Sequence, residues 1–147
     1  MKRSVSVDRR KAEFIVTSYT QTPPGFWQMN GHFSRVPCDA EATELGHAVL
    51  EALDASNRIT LRDVDASSNS FAPVLAELGL RNFAQYMKGA VSVSVKLGDD
   101  DILRITPMRN GGAREGFVYI TDKVRVVEDR SVEALGIAVQ DAMAESG

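Results

Sequence analysis

The first strand of this chain is marked by a strict alternation of serine and valine. Residues 4–7 read Ser-Val-Ser-Val, so Val5 and Val7 fall on one face of a strand. The run from 12 to 20 is rich in β-branched and aromatic side chains and predicts a second strand. Residues 26–29 and 32–36 predict two more strands around Asn30-Gly31, a pair that favours a two-residue hairpin.

A helix is predicted after these four strands. Apolar residues recur there at helical spacing and form a single stripe, which consists of Leu45, Ala48, Val49, Ala52 and Leu53. The first part of the chain therefore predicts a β-β-β-β-α unit.

The same unit occurs a second time, at an offset close to ninety residues. Ser-Val-Ser-Val returns at residues 92–95, Arg35-Val36 returns as Arg125-Val126, and Leu45-Gly46 returns as Leu135-Gly136. Matches that keep one order and nearly one offset indicate an internal duplication. The second unit contains predicted strands at 91–97, 102–108, 117–120 and 123–127, the last two forming a hairpin around Thr121-Asp122. Its helix has a stripe of its own, made of Val132, Leu135, Val139, Ala142 and Met143.

The predicted fold is therefore α+β, with two β-β-β-β-α units forming two antiparallel sheets and packed helices. We expect a single domain over residues 1–147, with the units at 1–56 and 89–147 and a connecting segment at 57–88. Within that segment, residues 58–65 predict a short strand, 66–70 a loop and 71–78 a helix. Phe83, Tyr86 and Met87 indicate one or two further helical turns.

Gly46 and Gly136 occupy equivalent positions inside the two predicted helices. An interior helical glycine costs about 1 kcal/mol relative to alanine. Its presence in both copies predicts that each glycine touches the other helix or the underlying sheet.

Length, charge and cysteine content narrow the classes of function. The 147 residues suffice for one domain with a real core. The net charge of −3 disfavours non-specific binding to nucleic acid or anionic lipid and favours a basic partner. A lone cysteine, Cys38, suits a reducing compartment, and no apolar stretch reaches the length of a membrane span. We expect a cytoplasmic protein without a membrane partner.

No constellation of reactive side chains stands out, so we expect neither enzymatic activity nor a cofactor. The two histidines, His32 and His47, are separated in the chain, and a dyad of His32 with Cys38 would lack a third, orienting residue. One cysteine and two histidines do not supply a zinc site. The run Asp99-Asp100-Asp101 lies in a tight turn and lacks the spaced ligands of a calcium loop.

Nucleic acid is the alternative partner. Tyr19, Phe26, Trp27 and Phe117 on antiparallel strands could stack on bases, with arginines tracking the phosphates. The negative net charge argues against this reading, as does the absence of basic residues interleaved with those aromatics.

Several stretches resemble the immunity proteins of bacterial contact-dependent growth inhibition. They are residues 83–95, the stretch 105–112 followed by 116–118, and the two helix segments 44–49 and 132–139. The resemblance covers most of the chain and implies a cytoplasmic protein that binds a toxin domain delivered by a neighbouring cell. Toxins of such systems are commonly nucleases, and the resemblance carries over no catalytic residue. The predicted layout also resembles the Whirly-type fold, which binds single-stranded nucleic acid, and this keeps the alternative open.

We therefore predict a protein that neutralises a toxin by occluding it, and we expect this toxin to be a nuclease. The cleft of a nuclease is basic, so an acidic binder suits it. The predicted contact residues are two acidic clusters, Asp63 with Asp65 and the run Asp99, Asp100 and Asp101, together with Trp27, the only tryptophan.

Overall fold

The computed structural model describes residues 1–22, 25–58 and 71–146. These residues form one antiparallel sheet with helices on both faces. In chain order, the elements are β1 (Arg3–Arg10), β2 (Glu13–Gln21), β3 (Trp27–Pro37), α1 (Ala42–Ala55), α2 (Ala72–Leu78), α3 (Phe83–Met87), β4 (Val91–Leu97), β5 (Leu103–Asn110), α4 (Gly112–Glu115), β6 (Phe117–Tyr119), a 3-10 helix (Thr121–Lys123), β7 (Arg125–Val127) and α5 (Val132–Met143).

The strands lie in a single sheet rather than in the two sheets predicted. Their order is β3-β2-β1-β4-β5-β6, and β7 also pairs with β5. The two units join because β1 and β4, the equivalent first strands, pair with each other. Ser6 lies directly opposite Ser94, its counterpart in the predicted repeat. The predicted unit boundaries and the likeness to the Whirly-type fold stay predictions.

The hairpin predicted at Asn30-Gly31 is wrong, because both predicted strands belong to β3. Thr17 pairs with Phe33 and Tyr19 with Met29, so three residues of β3 bulge opposite one of β2. The side chain of Asn30 is buried in this bulge and donates to the Ser18 hydroxyl at 3.0 Å. Gly31 has a φ of 92°. Asn30-Gly31 therefore lies in a β-bulge, where Gly31 adopts the positive φ, and not in a hairpin turn. As a consequence, the first unit has three strands instead of four.

The prediction of a hairpin around Thr121-Asp122 is also wrong, because the two strands do not pair with each other. The two short strands both pair with β5, β7 along Leu103–Ile105 and β6 along Met108–Asn110. They therefore run in one direction along β5, separated by the 3-10 helix, as the two halves of β3 run along β2.

The main core lies between one face of the sheet and the helices α1 and α5. Valines from the repeated strands, such as Val7 and Val93, pack there against Leu45, Val49 and Leu135. A Cβ atom built on Gly46 would lie 1.8 Å from the carbonyl oxygen of Val132. The predicted close approach at the helical glycines is confirmed.

The opposite face of the sheet is covered at one end only by the described helices. Ile15 of β2 packs there against Val74, Leu75, Tyr86 and Met87. The helices α2 and α3 lie close to the predicted positions of the connecting helix and the added turns. Residues 59–70, which hold most of the predicted strand and loop, lie outside the described residues.

Candidate partner-binding surface

The serines of the repeated Ser-Val-Ser-Val motif form the floor of a cavity on the second face of the sheet. Since valines and serines alternate, Val5 and Val95 face the main core while Ser4, Ser6 and Ser94 face the other way. The cavity has a volume of about 250 Å³, and all three of these serines line it. We call the part of this face around the cavity the open face.

Four aromatic side chains line the cavity: Tyr19, Trp27, Phe117 and Tyr119. They come from β2, β3 and β6, so residues far apart in the sequence are brought together by the strand order. Tyr19 pairs with Ser4 across the sheet, and its hydroxyl hydrogen-bonds the Ser6 hydroxyl at 3.0 Å. Burial raises the pKa of Tyr19 well above its ordinary value, so this hydroxyl stays neutral.

A single lysine lies at the edge of the cavity. The Lys96 ammonium is 4.7 Å from the ring centroid of Tyr119, a cation–π contact. Lys96 pairs across the sheet with Ser4 on one side and with Arg104 on the other. The Arg104 guanidinium is bound by Asp100 at 2.9 Å, whereas Lys96 forms no salt bridge with a described residue. Among the described residues, Lys96 therefore supplies a positive charge on this surface that no carboxylate pairs.

Apolar side chains are exposed around the same face. Tyr119 is 47% exposed and Val126, which pairs with Arg104, is 59% exposed. Phe26, the chain neighbour of Trp27, is 74% exposed. Tyr119 lines the cavity and Val126 lies on the same face of the sheet, so the open face offers exposed apolar side chains to another molecule.

The predicted contact residue Trp27 lies on this surface, half-buried in the cavity wall. Asp99, Asp100 and Asp101 lie at the same end of the sheet, in the turn between β4 and β5. Three strand spacings, about 14 Å, separate β3 from β4. The structure therefore puts the predicted tryptophan and this acidic run at one end of the open face.

The three aspartates of the turn are exposed, and each faces a cation of this chain. Asp99 lies 3.4 Å from the N-terminal amine, Asp100 lies 2.9 Å from Arg104, and Asp101 lies 3.3 Å from Arg130. The Arg104 contact lowers the pKa of Asp100. These internal pairs reduce the charge that the run presents to a partner. Asp63 and Asp65 lie outside the described residues.

The family model of the CDI immunity proteins, those of contact-dependent growth inhibition, matches residues 3–146. The chain belongs to this family. A protein of unknown function from Neisseria meningitidis has a similar structure, with 18% identity, a TM-score of 0.80 and coverage of 100% of this chain and 96% of that one. A CdiA-CT/CdiI toxin and immunity complex from Yersinia pseudotuberculosis contains a chain with 15% identity, a TM-score of 0.77 and coverage of 100% and 98%. At these identities the two structures show a shared fold, and no curated protein sequence matches.

In this CDI immunity protein, the residues considered for catalysis are not brought together. His32 and Cys38 are six residues apart along β3 and its extension, about 20 Å at the rise of a strand. His47 is exposed on α1, as is its repeat equivalent Ile137 on α5. Burial raises the pKa of the Cys38 thiol, which disfavours the reactive thiolate. Within the described ranges, no three His, Cys, Asp or Glu side chains are placed to hold a metal ion, and no helix could span a membrane.

A buried polar cluster lies beneath α3, away from the open face. The Asp8 carboxylate accepts hydrogen bonds from the Tyr86 hydroxyl and, at 2.5 Å, from the Ser92 hydroxyl. Arg10 donates to the Tyr86 carbonyl oxygen at 2.8 Å. Burial raises the pKa of Asp8 to about 6 despite these bonds. The hydrogen bonds of this cluster connect β1, β4 and α3, and its side chains are buried, so a partner cannot contact them.

Sequence reasoning missed two features of the surface. One is the part played by Lys96 and Tyr119, which depends on strand pairing between distant segments. The other is the outer side of α1 and α5, helices that contain acidic residues but no lysine or arginine. Glu44, Glu51, Glu133 and Asp141 are exposed there. The sequence contains a signal for this acidic surface, because both helix segments have acidic residues and lack basic ones.

Proposed function

We propose that this immunity protein binds the toxin domain of its own growth inhibition system and neutralises it without catalysis, by occluding it. Membership of the CDI immunity family supports the proposal, and so does the likeness to a chain in a toxin and immunity complex. The observation that carries the choice of surface is the group of exposed apolar side chains around the aromatic cavity. Such a group suits the apolar centre of a protein–protein interface.

We further propose that the toxin is a nuclease. The chain has a net charge of −3, and two of its helices present only acidic charges to solvent. A nuclease needs basic side chains to bind phosphates, so an acidic inhibitor would be steered towards it. The contacts we propose remain Trp27, Asp99, Asp100 and Asp101, with Asp63 and Asp65 as the second acidic cluster.

The first experiment mixes the purified protein with the toxin domain encoded by the neighbouring upstream reading frame. Calorimetry should give a one-to-one complex of nanomolar or tighter affinity, and the toxin alone should degrade tRNA or DNA until the immunity protein is added. Tight binding to a toxin that cleaves neither nucleic acid would reject only the nuclease proposal. Absence of binding would reject the function.

The open face can be tested with two matched substitutions. Val126 on β7 and Ile137 on α5 are both exposed aliphatic residues, at 59% and 43%, on opposite faces of the sheet. Val126→Glu should weaken toxin binding by about tenfold or more, because it places an unpaired charge in the contact. Ile137→Glu should leave binding unchanged. The reverse pattern would move the interface to the outer side of α1 and α5.

A single-stranded nucleic-acid-binding module is the second candidate. The aromatic side chains around the cavity favour it, as does Lys96, which forms no salt bridge within the described part of the chain, because bases stack on such residues beside a cation. A module of this kind would bind oligonucleotides with an affinity that falls steeply as salt rises, and it would ignore the toxin. Titration of fluorescent oligonucleotides at two salt concentrations separates the two candidates.

A further inference from the structure

We propose that the cavity on the open face is a socket for one acidic side chain, an aspartate or glutamate, of the toxin. This inference rests on the proposed function and names the chemistry that its binding surface recognises. The carboxylate would enter between Tyr19, Trp27 and Tyr119 and reach the serine hydroxyls on the floor.

The floor of the cavity offers hydrogen-bond donors that the described residues leave unused. Ser4 and Ser94 are 5% and 4% exposed and line the cavity, yet neither hydroxyl forms a hydrogen bond within the described part of the chain. Ser6 differs, since its hydroxyl is bonded to Tyr19. A serine hydroxyl can donate or accept a hydrogen bond, and a bond that it donates to an ionised carboxylate is stronger than one to a neutral acceptor.

The charge at the cavity favours an anion over a cation. None of the described residues that line it is an aspartate or glutamate, and the Lys96 ammonium lies over the ring of Tyr119 in its wall. Asp8, on the same face of β1, is occupied by Tyr86 and Ser92. A guest arginine or lysine would meet Lys96 without a carboxylate to balance it, whereas a guest carboxylate would pair with Lys96.

The size and surroundings of the cavity favour a side chain over a free small molecule. Its volume of about 250 Å³ lies below the ~300–1,000 Å³ of typical ligand sites. It opens among exposed apolar residues, Tyr119 and Val126, that a protein partner would cover. The negative net charge of the inhibitor would steer a basic toxin towards it. The pair between Lys96 and the toxin carboxylate has the opposite polarity, so it would form in one orientation of the toxin only.

Double-mutant cycles test the socket. Lys96→Met keeps an unbranched side chain against Tyr119 and removes the charge, and it is combined with single Asp→Asn and Glu→Gln changes over the toxin surface. One toxin carboxylate should show coupling with Lys96 of at least about fivefold in Kd. The double variant Ser4→Ala/Ser94→Ala should weaken binding of the wild-type toxin about tenfold, and much less once that carboxylate is neutralised.

Lys11→Met is the matched control, because Lys11 lies in the turn just after the other end of β1, seven residues or about 23 Å from Ser4. It should change the affinity less than twofold and couple with no toxin carboxylate. If the wild-type protein binds the toxin tightly but no toxin carboxylate couples with Lys96, the socket is wrong and the proposed function stands. If the wild-type protein does not bind the toxin, the proposed function itself is wrong. The Lys96 cycle decides the matter even where the serine variant does not fold, since Lys96 is only half-buried.

Discussion

Gly46 of α1 packs directly against the backbone of Val132 at the start of α5. A Cβ atom on Gly46 would lie 1.8 Å from the Val132 carbonyl oxygen, and one on its equivalent Gly136 would lie 1.9 Å from that of Ala42. The contact is therefore reciprocal, with each glycine against the first turn of the other helix. Since backbone cannot move aside as a side chain can, glycine is required at both positions.

Gly46→Ala should destabilise the protein although alanine is the better helix former. The helices must separate to admit the methyl group, and we expect the free energy of unfolding to fall by about 2 kcal/mol or more. Urea unfolding followed by circular dichroism measures the change. Glu51→Ala, at an exposed position of the same helix, is the control and should be close to neutral. Equal stability of Gly46→Ala and wild type would contradict the close helix contact.

The stability of the protein should fall as the pH rises from 5 to 7.5, because of Asp8. Its pKa is about 6 in the folded protein and near 3.8 in the unfolded chain, so folding favours the protonated form. The stabilisation is complete below about pH 4 and is lost as the pH rises through 6. A pKa difference of about two corresponds to about 3 kcal/mol over the whole titration, of which roughly half is lost between pH 5 and 7.5.

Asp8→Asn removes the titration while keeping groups that can bond with Tyr86 and Ser92. Its free energy of unfolding should therefore change less than that of the wild type between pH 5 and 7.5, as measured by urea unfolding at a series of pH values. Asp122→Asn, at an exposed site in the 3-10 helix, should keep the wild-type slope. Parallel pH profiles for Asp8→Asn and wild type would reject this role of Asp8.

The strands and the helix contact could be predicted from the sequence because each depends on a local or repeated pattern. Alternation predicted β1 and β4, and the helical stripes predicted α1 and α5 close to their observed bounds. Gly46 and Gly136 predicted the close approach of the helices, because a glycine that destabilises a helix is present at the same position in both copies. These inferences needed only the spacing of residues along one segment or the comparison of one segment with its repeat.

The sheet arrangement could not be predicted from such patterns. Asn30-Gly31 favours positive φ equally in a hairpin turn and in a bulge, and the choice depends on how β3 lies along β2. The pairing of β1 with β4, which makes one sheet from two units, is a contact between distant segments. The same pairing places Lys96 next to Ser4, so the cavity and its lysine could not be predicted from either segment alone.

Removal of all three candidate catalytic side chains should leave toxin neutralisation intact. His32, Cys38 and His47 lie apart in the fold, and a binding protein needs none of them for chemistry. The triple change His32→Ala/Cys38→Ala/His47→Ala is compared with wild type in a growth competition against toxin-delivering cells. Loss of protection by a variant that still unfolds cooperatively would point to catalysis.

Charge reversal in the acidic turn should slow the association of toxin and inhibitor. We expect Asp99→Lys/Asp101→Lys to lose affinity, by about 2 kcal/mol or more if a desolvated pair with the toxin is broken. Asp63→Lys/Asp65→Lys tests the second predicted cluster in the same way, and Glu44→Lys/Glu51→Lys tests the acidic side of α1. Stopped-flow association rates and affinities are measured for each. If both aspartate variants fold and bind within about twofold of wild type, these acids do not contact the toxin.

Trp27 should be an energetic centre of the toxin interface. It is the only tryptophan of the chain, and its ring stands in the cavity wall of the open face. Truncation of a tryptophan at the centre of an interface commonly costs about 2 kcal/mol or more, so Trp27→Ala should weaken toxin binding by about thirtyfold. Phe26→Ala is the matched control, because Phe26 is the neighbouring aromatic residue but is 74% exposed. Calorimetric affinities decide between them. A larger loss for Phe26→Ala than for Trp27→Ala would place the centre of the interface on the loop outside the cavity.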